Sequence, residues 1–561
     1  MPDLRPYAGR WVALVAGRVA GSGRTPAQAR QIASRNRPKE RQKIGFVFPG
    51  ADSDLMTQLP LPSLMVKLRP LLARSRESVY LVGGAVRDAL LGRSGGHDLD
   101  FVVGHDAVEL ARSVADELDG AFYLLDAQRG TARVILSDAI LDLARLRGES
   151  LLDDLRDRDF TVNAIALPVD SADVDAIIDP LGGQDDLAAG LIRATGPNAI
   201  RSDPVRCLRA VRLSAELDMK ILPATADMIR LAADQLAAVS AERVRDELVR
   251  LLSAPRPADS LRCLDELKLL PHVLPELLST KGITQSQPHR VDVFEHTLLV
   301  VEQLEALLTA ISAPKDPKES ALALAQEALS PYAAPLLNHL DRPSSGDRNG
   351  RGLLYLGALL HDVGKPGSRS VEDDGRIRFF GHERVGAEMA RRRGRELALS
   401  NSEVRQVATM VRHHMRPAWL ARSSPGSDGR PSRRAIYRFF RDTGRSGLDI
   451  CLLCLADGLG KGAPPEPDDW RQRVQSVAAL LDHYLNHHAE TVSPRPLLDG
   501  RELIQALDIP AGPDVGRLLE LIREAQAAGE LNTVAGALAL AREAQKASAA
   551  GSVEKVAGRD S

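Results

Sequence analysis

The chain has 561 residues, of which 44% are hydrophobic and 26% charged, and its net charge is −2. A chain of this length exceeds what one hydrophobic core can organise, so several domains are expected. The small net charge restricts any polyanion-binding surface to a local patch, and the aromatic content of 4% argues against wide stacking platforms for single-stranded nucleic acid.

Cysteine usage and the apolar runs indicate the compartment. The four cysteines are too few for a disulfide framework, and Cys451 and Cys454 lie in the apolar run LDICLLCLA, where buried helix residues are expected rather than zinc ligands. No apolar run reaches the roughly 18 residues of a membrane span, and the N-terminus lacks a signal-peptide pattern. We therefore expect a cytoplasmic protein without a membrane partner.

Residues 1–50 are predicted to form a small domain of their own. The run WVALVAGRVAGSG is typical of two strands around a glycine turn, and KIGFVFPG is typical of a third strand. Between them, TPAQARQIASRN predicts a helix with a Thr cap and a Pro in its first turn. This order gives a ββαβ unit, whose function the sequence does not indicate.

The rest of the chain divides by element type. From 58 to 195, strand patterns such as VYLVGG, HDLDFVVG and AILDLARLR alternate with helical runs, and from 196 onward the pattern is almost wholly helical. We expect an α+β fold, with a mixed sheet and its helices followed by all-α domains. Two stretches, 312–350 and 423–433, are predicted to be loose connections.

The stretch YLVGGAVRDALLGRSGGHDLDFVVG carries the first chemical pattern. Asp98 and Asp100 are two positions apart, so in a strand both carboxylates point to one face and repel each other unless a cation lies between them. Mg²⁺ prefers such oxygen ligands and shares them with substrate phosphates. Gly83 and Gly84 let backbone approach a triphosphate, and Arg87 in the following helix can clamp phosphate.

Five ordered motifs resemble the class II nucleotidyltransferases, the family of tRNA CCA-adding enzymes and bacterial poly(A) polymerases. They cover roughly residues 60–280 and read GGAVRDALLG with DLD, RDFTVNAIAL, DPLGGQDDL, DPVRCLRAVR and SAERVRDELVRLL. The resemblance implies a polymerase-beta-like nucleotidyltransferase head with a mixed sheet at 58–195 and a helical neck that binds nucleotide and RNA at 196–284. It also implies tRNA, CTP and ATP as partners and Mg²⁺ as the cofactor of the head.

The resemblance assigns roles residue by residue. Asp98 and Asp100 would be catalytic and would hold Mg²⁺, and Asp142 falls where the family has a further acidic residue. The arginine and aspartate of the fourth motif can recognise the bases of CTP and ATP. The aspartate accepts a hydrogen bond from the exocyclic amine of C or A, and the arginine donates to the ring acceptors. The implied nucleotide contacts are Gly83, Gly84, Arg87, Arg158, Asp159 and Asn163, with Asp203, Arg206 and Arg209 reading the base.

Two departures from the family pattern concern the product. Ser202 replaces the Glu that usually precedes the template Asp203. Between LARLRG and RDFTVNA only ESLLDDLRD remains, whereas many family members have a longer flexible loop that helps to switch specificity from C to A. CCA addition is the leading expectation, CC addition is a close alternative, and A addition or poly(A) synthesis is a further one.

Downstream, histidines and aspartates recur in the order H…HD…H…HH…D within helical surroundings. Imidazole and carboxylate together suit a divalent transition metal with open positions for water and phosphate. The set resembles the HD phosphohydrolase superfamily, which implies an HD domain at 285–465 with Lys365 as a phosphate contact. The implied metal ligands are His296, His361, Asp362 and Asp457, with His382 and His413 or His414 added in a binuclear site.

The tail at 466–561 resembles the segment that follows the HD domain in HD-containing tRNA nucleotidyltransferases, and its Pro-bounded helices are expected to bind tRNA. An HD phosphohydrolase whose head only binds RNA is an alternative of another class, and a structural RNA-binding protein is a third. The intact Asp98, Asp100, Arg158 and Asp203 favour the transferase. The oligomeric state is left open.

Overall fold

The computed structural model of the protein describes residues 3–47, 55–56, 58–93, 97–313, 320–345, 348–423 and 429–557. They form two compact units, Met1–Val239 with Leu267–Leu269, and Ser240–Glu266 with Leu270–Ser561. The division falls inside the predicted neck at 196–284, and the five-domain boundaries stay predictions. In the part of the chain that the structure describes, no helix is long and apolar enough to cross a membrane.

The N-terminal part has the predicted ββαβ order, followed by a short fourth strand. Its elements are β1 (Arg10–Val15), β2 (Arg18–Gly23), α1 (Pro26–Asn36), β3 (Lys43–Val47) and β4 (Leu55–Met56). The strands form one antiparallel sheet in the order β2–β1–β3–β4, and α1 packs on β1 and β2. Thr25 caps α1 as expected, accepting from the Gln28 N–H. Residues 1–2 and 48–50 of the predicted domain lie outside the described residues.

The second sheet of this unit carries the head. Its order is β10–β5–β6–β9–β8–β7, in which β6 and β9 are parallel and the other neighbours are antiparallel. Side-chain alternation buries Leu99 and Phe101 on one face of β6 and leaves Asp98 and Asp100 exposed on the other. The elements are α2 (Met65–Leu72), β5 (Val79–Val82), α3 (Gly84–Leu90), β6 (Asp98–Val103), α4 (Ala107–Glu117), β7 (Ala121–Asp126), β8 (Thr131–Ile135), β9 (Ile140–Arg145), α5 (Leu151–Arg156), β10 (Ala166–Pro168), α6 (Gly183–Ala189) and β11 (Leu191–Ile192).

The N-terminal sheet packs directly on the C-terminal end of α3. Trp11 is fully buried, lies edge-on to Phe46 with ring centroids 5.3 Å apart, and donates from Nε1 to the Leu90 carbonyl oxygen at 2.6 Å. Gly92 has a φ of +71°, and a Cβ at this position would overlap the Phe46 ring. The small domain is therefore part of the packed first unit, through contacts that the sequence did not indicate.

The remaining elements are almost all helical, as predicted. The first unit continues with α7 (Arg206–Leu217), β12 (Lys220–Ile221), which pairs with β11, and α8 (Pro223–Ala232). The second unit contains α9 (Ala241–Ser253), α10 (Pro257–Glu266), α11 (Leu270–Val273), α12 (Val293–Ser312), α13 (Ala321–Leu329), α14 (Ala333–Asp341), α15 (Gly350–Leu360), the hairpin β13 (Arg369–Val371) and β14 (Ile377–Phe379), α16 (His382–Glu396), α17 (Asn401–His413), α18 (Arg416–Arg422), α19 (Arg433–Thr443), α20 (Ser446–Leu459), α21 (Pro467–Leu485), α22 (Gly500–Leu507), α23 (Pro513–Ala528) and α24 (Val534–Ala557).

The predicted loose connection at 312–350 is wrong for much of its length, because α13 and α14 lie there. Leu329, Leu336 and Leu340 are fully buried, and α13 packs against α12 and α21. Leu329 ends α13, whereas Leu336 and Leu340 are four residues apart on one face of α14, a pattern that the polar flanks obscured. Residues 314–319 and 346–347 of this stretch, and 424–428 of the other, lie outside the described residues. Cys451 and Cys454 are buried in α20, as expected.

Candidate active sites

In the first unit, the turn after β5 brings three predicted site residues together. Gly83 has a φ of +75°, and a Cβ there would lie 3.3 Å from Oδ2 of Asp100 and 3.4 Å from Nη1 of Arg158. The left-handed backbone and the close approach both favour glycine at this position. A carboxylate and a guanidinium therefore face one space beside the turn.

The carboxylates on β6 lie next to a third one on β9. Asp100 pairs with Asp142 in the parallel register of β6 and β9. Both oxygens of Asp142 accept from Arg133 at 2.8 Å, so its charge is already paired, and its catalytic role stays a prediction. Asp100 is exposed on its face of β6, yet desolvation by the protein around the carboxylate raises its pKa to about 6, and the charges of Asp142 and Asp98 add to the effect. A divalent cation would relieve the repulsion among the carboxylates of Asp98, Asp100 and Asp142. The carboxylates of Asp98 and Asp100 therefore fit a divalent cation.

Four of the predicted nucleotide contacts form one chain of hydrogen bonds. Arg87 Nη1 donates to Asn163 Oδ1 at 2.7 Å, and Asn163 Nδ2 donates to Asp159 Oδ1 at 3.1 Å. Arg209 Nη1 donates to Asp159 Oδ2 at 3.1 Å. Burial alone would raise the pKa of Asp159, but Arg209, Asn163 and the Phe160 N–H outweigh it and hold this pKa below its ordinary value. The charged form of Asp159 thus orients the side chains on both sides of it.

Arg206 is buried and donates to backbone carbonyl oxygens. Its Nη1 donates to the oxygens of Ala199 at 2.8 Å and Arg158 at 3.2 Å, and its Nη2 donates to that of Asp157 at 2.9 Å. Its Nε lies 3.9 Å from Oδ2 of Asp203. The predicted base-reading pair is therefore adjacent, and its arginine is anchored to the backbone just after α5.

The connection from β9 to α5 is short and ordered. It consists of residues 146–150, and Ser150 caps α5 by accepting from the Asp153 N–H. In α5 the buried Asp154 accepts from Nε of Arg158 at 3.1 Å and from the N–H of Arg147 at 3.2 Å. Sequence reasoning missed Asp154, although its i,i+4 spacing to Arg158 was an available signal.

In the second unit, the predicted histidines and aspartates converge from several helices on Asp362. One oxygen of Asp362, Oδ2, lies 3.1 Å from Nε2 of His361 and 3.4 Å from Nε2 of His296. The other, Oδ1, lies 3.3 Å from Nε2 of His382 and 3.8 Å from Nε2 of His414. One carboxylate thus faces two groups of imidazoles, and these residues would hold divalent metal ions.

The histidine tautomers fit a metal centre. Each Nδ1 lies 2.7 to 2.9 Å from a backbone carbonyl oxygen, which can only accept, so Nδ1 carries the proton and the Nε2 lone pair is free to bind a metal. Nε2 of His296, His361 and His382 is buried and has no hydrogen-bond partner among the described residues. The four contacts between Nδ1 and a carbonyl oxygen are those of His296 with Gly460, His361 with Ala358, His382 with Phe379 and His414 with Val411.

The charges around this cluster favour a cation. Burial lowers the pKa of His296, but Asp362 and Asp457 outweigh it and raise that pKa to about 9, so Nε2 of His296 binds either a proton or a metal ion that displaces the proton. Burial likewise opposes ionisation of Asp362, yet His361 and Lys365 hold its pKa well below the ordinary value. The centre therefore attracts positive charge, and buried imidazoles with two carboxylates fit divalent metal ions.

Lys365 is buried beside the cluster. Its Nζ lies 2.5 Å from Oδ2 of Asp362 and donates to Oε1 of Gln285 at 2.6 Å. The lysine therefore holds the central carboxylate in this structure, and its contact to a phosphate stays a prediction.

The structure adds one histidine and separates two others. His289 forms a group with His296 and Asp457 whose potential ligand atoms lie within 4.8 Å of one another. His289 was not predicted from the sequence, because it precedes α12 and lies outside any helical spacing. Of the adjacent His413 and His414, only His414 belongs to such a group among the residues that the structure describes.

Comparisons with known proteins match this arrangement. Family models match a poly A polymerase head domain at 79–193, a probable RNA and SrmB-binding site of polymerase A at 218–280, and an HD domain at 293–459. The chain is 35% identical over 482 residues to an A-adding tRNA nucleotidyltransferase of Deinococcus radiodurans, covering 84% of this chain and 96% of that protein. It is 33% identical over 464 residues to a CC-adding tRNA nucleotidyltransferase of Thermus thermophilus, covering 82% and 91%.

A solved structure has the same fold. The Thermotoga maritima CCA-adding enzyme complexed with tRNA_CCA aligns with a TM-score of 0.52 at 19% identity, over 87% of this chain and 97% of that one. At this identity the likeness concerns the architecture, and it agrees with a head sheet followed by helical domains.

Proposed function

The chain belongs to the tRNA nucleotidyltransferase family, and we propose that it builds the CCA end of tRNA, adding C from CTP and A from ATP without a nucleic-acid template. The observation that carries this proposal is that Gly83 lies beside Asp100 and Arg158, with Asp98 on the same face of β6 as Asp100. The two similar relatives support the addition of these nucleotides to tRNA, since one is an A-adding and the other a CC-adding enzyme, but each is named for only part of the CCA end.

In each addition the 3′-oxygen of tRNA forms a bond to the α-phosphorus of the nucleotide. The bond from this phosphorus to the bridging oxygen breaks, pyrophosphate leaves with the electron pair, and the hydroxyl proton passes to water. Mg²⁺ held by Asp98 and Asp100 would supply positive charge that stabilises the triphosphate and the attacking oxygen. Gly83 lets backbone approach the phosphates, and the guanidinium of Arg158, held by Asp154, orients them.

Base selection falls to Asp203 and Arg206 in this proposal. The carboxylate accepts from the exocyclic amine of C or A, and the guanidinium donates to the adjacent ring acceptor, whereas U and G lack this combination. Ser202 stands where the family has Glu, and its Oγ lies 3.4 Å from Nη1 of Arg206. Backbone carbonyls rather than a carboxylate at this position therefore hold the arginine.

The short connection after β9 favours a narrower second candidate, an enzyme that adds only CC. To accept A after C, Asp203 and Arg206 must be re-aimed, because the two bases place their amine and acceptor at different distances from the sugar. Arg206 is bonded to the carbonyls of Asp157 and Arg158, just after α5, and α5 is joined to β9 by only residues 146–150. A connection of five residues allows α5 little movement relative to β9, so it can shift Asp203 and Arg206 only slightly.

The terminal nucleotide distinguishes the two candidates. For CCA addition we expect purified protein with CTP and ATP to add both C residues and the terminal A at similar rates. The CC-adding candidate predicts addition of A to a preformed CC end at least about 10²-fold more slowly, the cost of a small misplacement of the reacting groups. The measurement uses tRNAs ending before CCA, at C and at CC, with each labelled nucleotide supplied separately. Terminal A at the rate of the C additions would exclude the second candidate, and failure to incorporate any nucleotide would overturn the family function for this chain.

We also propose that the HD centre of the second unit hydrolyses a phosphate ester at an RNA end, such as a 2′,3′-cyclic or a terminal phosphate. The oxygen of water bonds to phosphorus, the ester P–O bond breaks, and the leaving oxygen takes up a proton. Divalent transition metal ions held by the histidines and aspartates around Asp362 would supply the Lewis acid for this chemistry. The converging Nε2 atoms support this proposal.

Adjacent histidines give an internal control for the centre. We expect His414→Gln to lower metal content and hydrolysis of bis(p-nitrophenyl) phosphate by at least about 10- to 100-fold, because it removes a group facing Asp362. His413→Gln should leave both near wild type. Metal content is measured by mass spectrometry after dialysis, and folding by circular dichroism. An equal loss in the two folded variants would contradict the role given to His414.

A further inference from the structure

A cavity of about 450 Å³ adjoins the metal-ligand cluster of the second unit. The two meet at Asp457, whose Oδ1 lies 3.3 Å from Nε2 of His296 and whose Oδ2 lies 3.3 Å from Nη1 of Arg473. Arg473 lines the cavity, as does Gly458 beside Asp457. The carboxylate thus faces the cluster with one oxygen and a cavity-lining cation with the other.

A second chain segment joins the cavity to the cluster. Pro288 and Arg290 line the cavity, and His289 between them belongs to the group of potential ligands with His296 and Asp457. The cavity and the cluster are therefore neighbours along two chain segments, at 288–290 and 457–458.

The lining is predominantly cationic. Lys461 has no ion-pair partner among the residues that the structure describes. Burial lowers the pKa of Lys461, Asp457 raises it, and the positive charges of Arg473 and Arg422 lower it further. Cations held this close repel one another, and an anionic ligand would compensate for that repulsion. The charged side chains lining the cavity are Arg290, Arg422, Lys461 and Arg473, opposed by the exposed Glu466 and Asp469.

The remaining wall is apolar. Trp470, although only 3% exposed, lines the cavity together with Ala418, Ala421 and Pro464, and these residues make this wall apolar. Its volume lies within the roughly 300–1,000 Å³ of small-ligand sites. A ligand that complements both walls has anionic groups on one side and a ring with apolar faces on the other. A nucleotide has both.

We propose that this cavity binds the nucleotide next to the phosphate that the HD centre hydrolyses. The substrate is then the end of a ribonucleotide chain, with a phosphodiester beside its terminal phosphate, and not a free mononucleotide. A single phosphate at the cluster would leave the cavity-lining cations Lys461, Arg290 and Arg422 without a phosphate to bind. The inference rests on the proposed hydrolase function and names the substrate class of that same site.

The test compares cytidine 2′,3′-cyclic phosphate with a cytidine dinucleotide that ends in the same cyclic phosphate. We expect wild-type kcat/KM to be at least about tenfold higher for the dinucleotide, and Lys461→Gln to remove most of this preference. The slope of log kcat/KM against log salt for the dinucleotide should also become shallower by about 0.7 in the variant, the contribution of one single-strand phosphate contact. A role in folding alone would not change this slope.

Arg471→Gln is the control, since Arg471 lies on α21 beside the cavity-lining Trp470 but is itself exposed and does not line the cavity. Binding of a fluorescein-labelled trinucleotide 3′-phosphate in EDTA, measured by anisotropy, separates this inference from the hydrolase proposal. Binding weakened by Lys461→Gln but not by Arg471→Gln supports the cavity even if no hydrolysis occurs. Equal kcat/KM for the two substrates in the wild type, with equal trinucleotide binding by both variants, would overturn the inference.

Discussion

Asp98→Asn and Asp100→Asn are each expected to lower nucleotide addition to tRNA by at least about 10²–10³-fold, the range for loss of one group that stabilises a transition state. The amide keeps the size of the side chain but loses the charge that holds a hard cation. The fold should persist, because these carboxylates repel each other and Asp142 rather than supporting the sheet. The measurement is single-turnover incorporation of labelled CMP, with the melting temperature recorded in parallel.

The control for these variants is Asp116→Asn, on the exposed side of α4 in the same unit. It removes the same charge from the same domain without touching the cleft. Incorporation at the wild-type rate by either β6 variant would show that the carboxylates of the DLD motif do not hold the catalytic metal.

Asp362→Asn is expected to abolish hydrolysis and metal retention in the second unit while leaving tRNA extension near wild type. Both oxygens of Asp362 face imidazole nitrogens, so the substitution removes a charge shared by both halves of the centre. The cleft with Asp98 and Asp100 belongs to the other compact unit, so its chemistry does not depend on this carboxylate. Hydrolysis of bis(p-nitrophenyl) phosphate, metal content and tRNA extension are measured on one preparation.

Asp373→Asn, in the exposed turn between β13 and β14, is the matched substitution for Asp362→Asn. It should retain the metal and both activities. If tRNA extension fell in step with hydrolysis in a folded Asp362→Asn protein, the two centres would not be independent.

The head could be predicted from sequence because its chemistry follows local rules. The two-residue period of a strand puts Asp98 and Asp100 on one face, and Gly83 lies where a strand turns into a helix. The anchoring of Arg206 by carbonyl oxygens could not be predicted, since those oxygens come from residues 7 to 49 positions away. Every residue has a backbone carbonyl oxygen, so the residue types do not indicate which carbonyls accept from Arg206. Only the folded structure shows them.

The HD centre shows the same limit. Motif order identified His361 and Asp362, but not that Asp362 lies between two groups of imidazoles, because that depends on how several helices pack. His289 was missed because nothing in its local sequence separates it from a loop histidine. The choice between His413 and His414 depended on the rotation of one residue at the end of α17, about 100° in a helix.

The packing of the N-terminal sheet on α3 has a consequence for relatives and for chimeric proteins. Helix α3 begins at the turn that faces Asp100 and ends under Trp11 and Phe46, so the small domain braces the far end of the helix that carries Arg87. The Phe46 ring leaves no room for a side chain at Gly92. A relative with a side chain at position 92 therefore needs a smaller residue at position 46. Exchanging residues 3–47 between family members would therefore require exchanging the end of α3 as well.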